Sequence, residues 1–217
     1  MKLAKVFKEN KQFTLFSILA LVVVGVAVFA PQIAPYDPLN AVMLESLQAP
    51  SSAHLFGTDK LGRDLLSRVI FGTRTSLVMT LCLVAVIFVI GTFLGVIAGY
   101  FGGVVDAVIM RIADMMISFP GLVLAIAIAG MLGPNLVNAV ISIAAVSWTK
   151  YARLARSMVL KVKKSLYIEA AVVNGTKTWK ILLVHVLPNM VTQMVVTAAA
   201  DIGTMMLELA SLSFLGF

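Results

Sequence analysis

Long stretches without a charged side chain constrain the fold of this chain more than any other feature. They include residues 13–30, 75–105, 115–149 and 186–200. A helix needs about 20 mostly apolar residues to cross a bilayer. Only 12% of this chain is charged, whereas an ordinary water-soluble domain has about 25% charged residues. The chain is therefore expected to fold in lipid, and a soluble globular domain is excluded.

These stretches predict an all-α fold, a polytopic bundle of transmembrane helices. The stretch 115–149 is too long for one crossing, and Gly133-Pro134-Asn135 inside it is a strong turn signal, so it is divided into two helices. Backbone groups in hydrocarbon must be hydrogen-bonded within the chain, which favours continuous helices. The five predicted spans are roughly 13–30, 75–99, 107–132, 136–157 and 187–210.

Two local features are expected inside these helices. Gly91, Gly95 and Gly99 recur every four residues in the second span, a small-residue stripe that lets helices approach closely in lipid. Phe119-Pro120 predicts a kink in the third span, because proline removes one backbone hydrogen bond and its ring clashes with the preceding turn.

Basic residues predict the orientation, because Lys and Arg near span ends favour the cytoplasmic side. Thirteen of the seventeen Lys and Arg residues lie in the N-terminal tail, at Arg111, or between residues 150 and 180. The N-terminus is then cytoplasmic and the 31–74 connection is extracytoplasmic, with a core domain at 75–217. A cleaved signal peptide is the alternative for the first run. Contact with anionic lipid accounts for the basic pI without nucleic acid. The basic residues of the tail are Lys2, Lys5, Lys8 and Lys11, and those of the connection are Lys60, Arg63, Arg68 and Arg74.

No residue pattern predicts a cofactor, a metal site or catalysis. Cys82 is the only cysteine, so neither a disulfide framework nor a cysteine metal site is expected. His54 and His185 would lie on opposite sides of the membrane. No glycine-rich loop is followed by the Lys-Ser/Thr pair that cradles phosphate, so nucleotide binding is not expected of this chain.

Ionisable residues inside the predicted spans are candidates for a pathway or gate, because charge is costly within a membrane. Arg111 and Asp114 are three residues apart and could pair locally on one face of the third span, either as a structural ion pair or at a gate. Asp201 and Glu208 are seven apart in the fifth span and share a helix face. A pathway role and a buried, hydrogen-bonded structural role both stay open for them.

The most informative segment is the basic loop between the fourth and fifth spans. Ser165 can cap a short helix that carries Glu169-Ala170-Ala171, with the acidic Glu169 in its early turns, where the helix dipole favours negative charge. Small alanines allow a partner to approach closely. Gly175 would end this helix, and Leu187-Pro188 would start the next span, at a position where proline costs little.

The run EAAVVNGTKTWKILLVHVLPN, residues 169–189, resembles the cytoplasmic coupling motif of ATP-binding-cassette importer permeases. His185 occupies a position that is usually aliphatic, a departure familiar from the peptide/nickel branch of these permeases. Six further segments resemble the family in the same order. They are FGTDKLGRDLLSR (56–68), AGYFGG (98–103), SFPGL (118–122), LGPN (132–135), WTKYARLARS (148–157) and SLSFLG (211–216).

This resemblance implies a type I import permease fold and the second membrane subunit of a dipeptide, oligopeptide or nickel importer. Such a subunit pairs with a related permease, docks two cytoplasmic ATP-binding subunits and receives substrate from an extracytoplasmic binding protein. The coupling loop would be about 158–186, with Glu169, Ala170, Ala171, Gly175, Leu187 and Pro188 as its coupling residues. Family permeases have six spans, whereas about five are predicted up to Phe217, so this sequence is expected to lack the last span of the family.

Two other classes compete with a transport subunit. A multi-span membrane enzyme would need catalytic groups clustered near one face, whereas the acidic residues here are scattered. A secondary carrier or channel would show internal repeats and broken helices, and would not need a docking helix. The resemblance leaves the substrate open between peptides and nickel or other metal chelates, with DIGTMMLELASLSFLG (201–216) closer to the nickel permeases.

Overall fold

The computed structural model describes residues 10–217, and nearly all of this part of the chain outside the 34–64 segment is helical. No β-strand occurs within these residues, and the only strand-like pairing there is an isolated bridge between Thr58 and Asp64. The predicted all-α class is confirmed. The helices are α1 Lys11–Val28, α2 Ala30–Ile33, α3 Leu65–Phe101, α4 Gly103–Ile117, α5 Gly121–Leu132, α6 Leu136–Lys163, α7 Leu166–Val173, α8 Thr178–Lys180 and α9 Leu187–Phe214, with a 3-10 turn at Met43–Glu45 and a π-helical segment at Ile181–Val186.

Three helical stretches in the described part of the chain are long and apolar enough to cross a membrane. They are Lys11–Val28, Leu65–Phe101 and Thr178–Phe214, and α4 with α5 would add a fourth if the bent pair is one span. Helix α6 corresponds to the predicted fourth span. Its 28 residues extend about 42 Å, but its second half carries several cations and is less apolar.

The predicted third span, 107–132, is not one helix. It is divided into α4 and α5, whose axes meet at 91°. Helix α4 ends where the Ser118 N–H donates to the Asp114 carbonyl. Proline disfavours helical backbone at the residue before it, here Phe119, so α4 ends before that residue. Pro120 then lies just before α5, with ψ 120°. The expected kink is in the right place, but the helix is broken rather than bent.

Leu187-Pro188 begins the α-helix α9, as expected, but the continuous helical stretch that contains α9 begins earlier. The helix begins at Thr178 and continues without a break to Phe214, passing through the π-helical turn Ile181–Val186. A π turn is wider than an α turn, and this one lies next to Pro188, which has no N–H and whose ring would crowd the preceding α turn. The Asn189 side chain donates to the His185 carbonyl at 2.6 Å. Leu187-Pro188 therefore marks a change of helix type.

The chain divides into two compact units, Met1–Val78 and Met79–Phe217. In the first unit, the 31–74 connection is ordered by polar contacts. The Tyr36 N–H donates to the Ser67 hydroxyl at 3.0 Å, and the Tyr36 hydroxyl donates to the Ala53 carbonyl at 2.9 Å. Buried His54 shares a hydrogen bond of 2.9 Å with the buried Asp64 carboxylate, and the two rings of Tyr36 and His54 are 4.8 Å apart.

Two carboxylates of this unit are stabilised in their ionised form. The side chain of Arg63 donates to Asp59 at 2.8 Å, and this bond is the main reason why the pKa of Asp59 lies well below its usual range. Burial alone would raise the pKa of Asp64, but hydrogen bonds from Ser67 and His54 outweigh burial and hold that pKa below its usual value.

In the second unit, the predicted glycine stripe brings α3 against α6. A Cβ atom placed on Gly95 would lie 2.3 Å from the Ala152 carbonyl oxygen and 2.7 Å from the Ala155 Cβ. On Gly91 it would lie 2.5 Å from the Tyr151 Cβ. The packing interpretation of this stripe is confirmed. The core around it includes Leu83, Ile87, Ile143, Tyr151, Val159, Met190, Met194 and Leu212.

Candidate coupling surface and intramembrane charge cluster

Helix α7 carries the predicted Glu169-Ala170-Ala171 segment and begins after Ser165. The Ser165 carbonyl accepts hydrogen bonds from the Ile168 and Glu169 N–H groups at 3.0 and 3.2 Å. The sequence predicts that Ser165 caps this helix, but its side chain makes no capping hydrogen bond. It donates to the Val162 carbonyl instead. The negative charge of Glu169 nevertheless lies in the first turn, where the helix dipole favours it.

Gly175 ends α7 in a Schellman motif. Its backbone has φ +71°, a left-handed conformation that costs glycine little. The Gly175 N–H donates to the Val172 carbonyl at 2.9 Å, and the Thr176 N–H donates to the Ala171 carbonyl at 3.0 Å, the two bonds that define this motif. The predicted helix end at Gly175 is confirmed, and it satisfies carbonyl groups at the end of α7.

The two alanines of α7 lie on different faces. Ala171 packs against the core of the second unit, together with Ile168, which is 1% exposed. Ala170 and Glu169 are exposed. Leu166 and Val173 lie four residues before and three after Ala170, on the same helix face, and their side chains are 83% and 85% exposed. This outer face, Leu166, Ala170 and Val173, is apolar, and the sequence reasoning did not identify its two larger members.

Side chains near Leu187-Pro188 contact the same short helix. The Asn189 amide donates to the Tyr167 hydroxyl at 3.2 Å, and the His185 and Tyr167 rings are 6.2 Å apart. His185, which replaces the usual aliphatic residue, therefore packs an aromatic ring beside α7. Leu187 is half-buried against the core and Pro188 is exposed. These contacts place the π turn that precedes Leu187-Pro188 beside α7, which carries Glu169, Ala170 and Ala171.

The predicted local pair between Arg111 and Asp114 does not form. Asp114 instead accepts a hydrogen bond from Arg153 of α6, and Arg111 has no ion pair within residues 10–217. A second link between the same two helices joins Asp106 to the guanidinium of Arg156 by two hydrogen bonds. Basic residues of α6 that were counted as loop charges thus hold α4 against it.

Asp201 is the most buried charged group of the second unit, at 4% exposure. One carboxylate oxygen accepts from Lys150 Nζ at 2.6 Å and the other from the Tyr151 hydroxyl at 2.9 Å. Both donors belong to α6, so this cluster links the predicted fourth and fifth spans. Lys150 lies about 21 Å from the start of α6, and Asp201 lies about 21 Å from Leu187. Both residues are therefore far from the ends of these long helices.

Glu208 lies two turns after Asp201 and lines the same pocket. The pocket has a volume of about 290 Å³. Glu208 is half-buried and has no hydrogen bond or ion pair with any residue from 10 to 217. The chain from 10 to 217 also contains no group of three His, Cys, Asp or Glu residues placed to hold a metal ion. The pocket is lined by Ile87, Ser147, Lys150, Tyr151, Asp201, Thr204, Met205 and Glu208.

Sequence spacing placed Asp201 and Glu208 on one helix face but did not predict which residues of other helices surround them. In the sequence, Lys150 counts only among the basic residues that predict the orientation, and no role is predicted for Tyr151. The available signal was a lysine and a tyrosine within an otherwise apolar helical repeat. Such residues inside a span need a partner, and Asp201 is the nearest uncommitted carboxylate in the neighbouring predicted span.

Long apolar helices, some of them linked to each other by ion pairs, are the features of a multi-pass membrane protein. Residues 91–217 match the family described as binding-protein-dependent transport system inner membrane component, and residues 2–50 match the N-terminal transmembrane domain of oligopeptide transport permease C. The chain belongs to this family of permeases, which are membrane subunits of ATP-driven importers and not enzymes.

Similar proteins carry peptide or glutathione transport names. The protein named Probable D,D-dipeptide transport system permease protein DdpC, from Escherichia coli K12, is 41% identical over 99% of this chain and 72% of its own length. The glutathione transport system permease protein GsiD of Pectobacterium atrosepticum is 43% identical over 90% of this chain and 65% of its own length. The dipeptide transport system permease protein DppC of Alkalihalophilus pseudofirmus is 40% identical over 98% of this chain and 70% of its own length.

Proposed function

We propose that this permease subunit forms half of a peptide import pathway and receives mechanical work through α7. The observation that carries the proposal is the outer face of α7. Leu166 and Val173 expose most of their apolar surface on either side of small Ala170, and apolar patches rimmed by polar groups are typical of protein contacts. The occupant would be a cytoplasmic ATP-binding subunit.

The connections of α7 explain how a push on its outer face would reach the spans. On its inner side, Ile168 and Ala171 pack into the core that contains residues of α6 and α9. Tyr167 contacts His185 and Asn189 at the π turn. Because packed helices move as rigid elements, closure of the ATP-binding subunits would shift α6 and α9 with α7, as alternating access requires.

The proposed assembly has a second homologous permease, two cytoplasmic ATP-binding subunits and an extracytoplasmic substrate-binding protein, all within or beside membrane lipid. The N-terminus and α7 would face the cytoplasm. Five lysines of the 158–186 loop, Lys161, Lys163, Lys164, Lys177 and Lys180, have no ion pair within residues 10–217. They support this orientation by the positive-inside rule.

Peptides are the proposed substrate class, because dipeptide and glutathione transporters are named among the relatives. Nickel or another metal chelate is the second candidate, favoured only by the resemblance of residues 201–216 to nickel permeases. Met190 and Met194, which are near this segment and could suit a soft metal, are fully buried in the apolar core. Their position fits packing rather than ligation.

Replacement of Ala170 by arginine tests the coupling role. Arginine forms helices nearly as well as alanine, so α7 should persist while a long cation occupies the centre of its outer face. In the assembled transporter we expect peptide uptake to fall about tenfold or more, with ATP hydrolysis no longer stimulated by the loaded binding protein. Ala170→Ser, which keeps the side chain small, is the matched control and should retain coupling.

Membrane insertion and co-purification of the ATP-binding subunits should be measured for both variants. Wild-type uptake by Ala170→Arg, with a normal amount of ATP-binding subunit attached, would contradict the assignment of α7. An equal loss of peptide uptake in Ala170→Ser and Ala170→Arg would show that coupling does not depend on the size and charge of the side chain at this position.

A further inference from the structure

The pocket between α3, α6 and α9 has a charge arrangement that the permease assignment does not explain. Its volume of about 290 Å³ is at the lower end of the range for small-molecule sites. Ile87 and Met205 provide apolar lining, and Ser147 and Thr204 provide hydroxyl groups. A pocket of this kind can hold one small polar group together with a short apolar side chain.

Most of the charge in the pocket is already paired. Lys150 donates to one oxygen of Asp201 at 2.6 Å, and the Tyr151 hydroxyl donates to the other at 2.9 Å. The Thr204 hydroxyl donates to the Asp201 backbone carbonyl at 2.9 Å. Lys150 and Asp201 together contribute no net charge, so this part of the pocket is a neutral, hydrogen-bonded wall.

Glu208 is the charge that remains. Among residues 10–217 it has neither a salt bridge nor a hydrogen bond, and half of it is buried beside apolar groups. An ionised carboxylate removed from water needs a cation or hydrogen-bond donors to offset its lost hydration. With Glu208 ionised, the pocket carries one net negative charge and lacks a donor for it.

We propose that this pocket is a subsite for the protonated amino group of a peptide in transit, with Glu208 as its anionic partner. The inference rests on the proposed function, because it takes peptides as the substrate. An ammonium group has three donors, which suit the Glu208 carboxylate and the hydroxyls of Ser147 and Thr204. A free carboxylate would be repelled by Glu208. The subsite therefore selects for the amino end of the substrate.

Weak binding fits a site on a transport route. A permeating solute must bind well enough to enter and weakly enough to leave. One ammonium–carboxylate contact, offset by the desolvation of both groups, should give a dissociation constant on the order of 1 mM. Such binding is best detected as protection of a nearby thiol.

The test uses the complete transporter without its binding protein, in lipid nanodiscs, with Cys82→Ala and Met205→Cys so that the apolar lining of the pocket carries a reporter thiol and the proposed ammonium acceptors stay intact. We expect alanyl-alanine at ten times its dissociation constant to slow thiol labelling about tenfold. N-acetyl-alanyl-alanine, which lacks the ammonium group, should not slow it. Glu208→Gln should abolish the protection, and Glu208→Asp should retain part of it. Asp37→Asn, which removes an exposed carboxylate from the first unit, is the control and should leave protection intact.

Equal protection by the free and acetylated dipeptides, or protection that persists in Glu208→Gln, would overturn the proposal. So would absence of protection by any probe together with poor assembly of Glu208→Gln, which would indicate a cation of the partner permease against Glu208. Ethylammonium chloride separates this inference from the proposed substrate class. If ethylammonium protects through Glu208 but the complete system imports no dipeptide, the cation subsite stands and the peptide assignment fails.

Discussion

Single ionisable residues in this chain are governed by contacts that sequence spacing reveals only in part. Asp201 and Glu208 were recognised as costly charges in an apolar helix, and the structure places both in one pocket. The partner of Asp114 was wrongly predicted, because a residue three positions away can pair locally only if no better donor lies across a helix interface. Arg153 of α6 supplies that donor. The spacing of residues within one helix does not show which other helix packs against it.

The lowered pKa of Asp64 leads us to expect that acid destabilises the first unit. Hydrogen bonds lower the pKa of this carboxyl in the folded protein, so the unfolded chain binds a proton more readily. The ionised carboxylate therefore stabilises the fold above about pH 4, and this contribution is lost as the pH falls below that value. We expect protection of residues 47–59 from hydrogen exchange, corrected for intrinsic rates, to weaken as the pH falls below about 4.

Asp64→Asn should weaken the protection at pH 6 and flatten its dependence on pH, because the amide can neither ionise nor replace the charge beside His54. Asp37→Asn is the control, since Asp37 is exposed and its carboxylate accepts a hydrogen bond from the neighbouring Leu39 N–H. A wild-type profile in Asp64→Asn would show that this carboxylate does not organise the connection.

At the scale of helices, the sequence predicted the existence of elements better than their continuity. The glycine stripe and the Gly175 helix end were correct, since each depends on a local steric rule. The break between α4 and α5 and the π turn before Pro188 were not foreseen, although both lie at prolines. Proline shows where a helix is disturbed. Whether the helix bends, breaks or widens depends on the neighbouring helices that satisfy the freed backbone groups.

Contact between α3 and α6 yields a steric prediction. Gly95→Ala would place a methyl group 2.3 Å from the Ala152 carbonyl oxygen, so the helices must separate. Overpacking of this kind costs about 1–3 kcal/mol. We expect a lower thermal midpoint and a lower yield of folded protein in detergent. Gly72→Ala in the same helix, where nothing lies within 4 Å, should cause no loss. Equal behaviour of the two variants would mean that the close approach at Gly95 is absent in the membrane.

At the scale of the whole molecule, the distribution of charge predicted a membrane protein and the resemblance of the sequence motifs predicted the permease family, while the domain boundaries at residues 30 and 74 remain predictions. Orientation also remains a prediction. It depends on how basic residues are divided between the two sides, and the structure refines that division. Lys150, Arg153 and Arg156 are paired with carboxylates of neighbouring helices, so they are poor topology signals. The lysines that remain in the 158–186 loop still outnumber the unpaired cations of the 31–74 connection.

Single-cysteine labelling tests this orientation. In a Cys82→Ala background, Ser51→Cys and Lys177→Cys each introduce one thiol at an exposed position. Because the lysine-rich loop should stay in the cytoplasm, a membrane-impermeant reagent added to intact cells should label position 51 and not position 177. Both thiols should react after the membrane is permeabilised, which controls for burial by partner subunits. Labelling at 177 from outside would place α7 beyond the reach of a cytoplasmic ATP-binding subunit, and the proposed transmission of work through its outer face would fail with it.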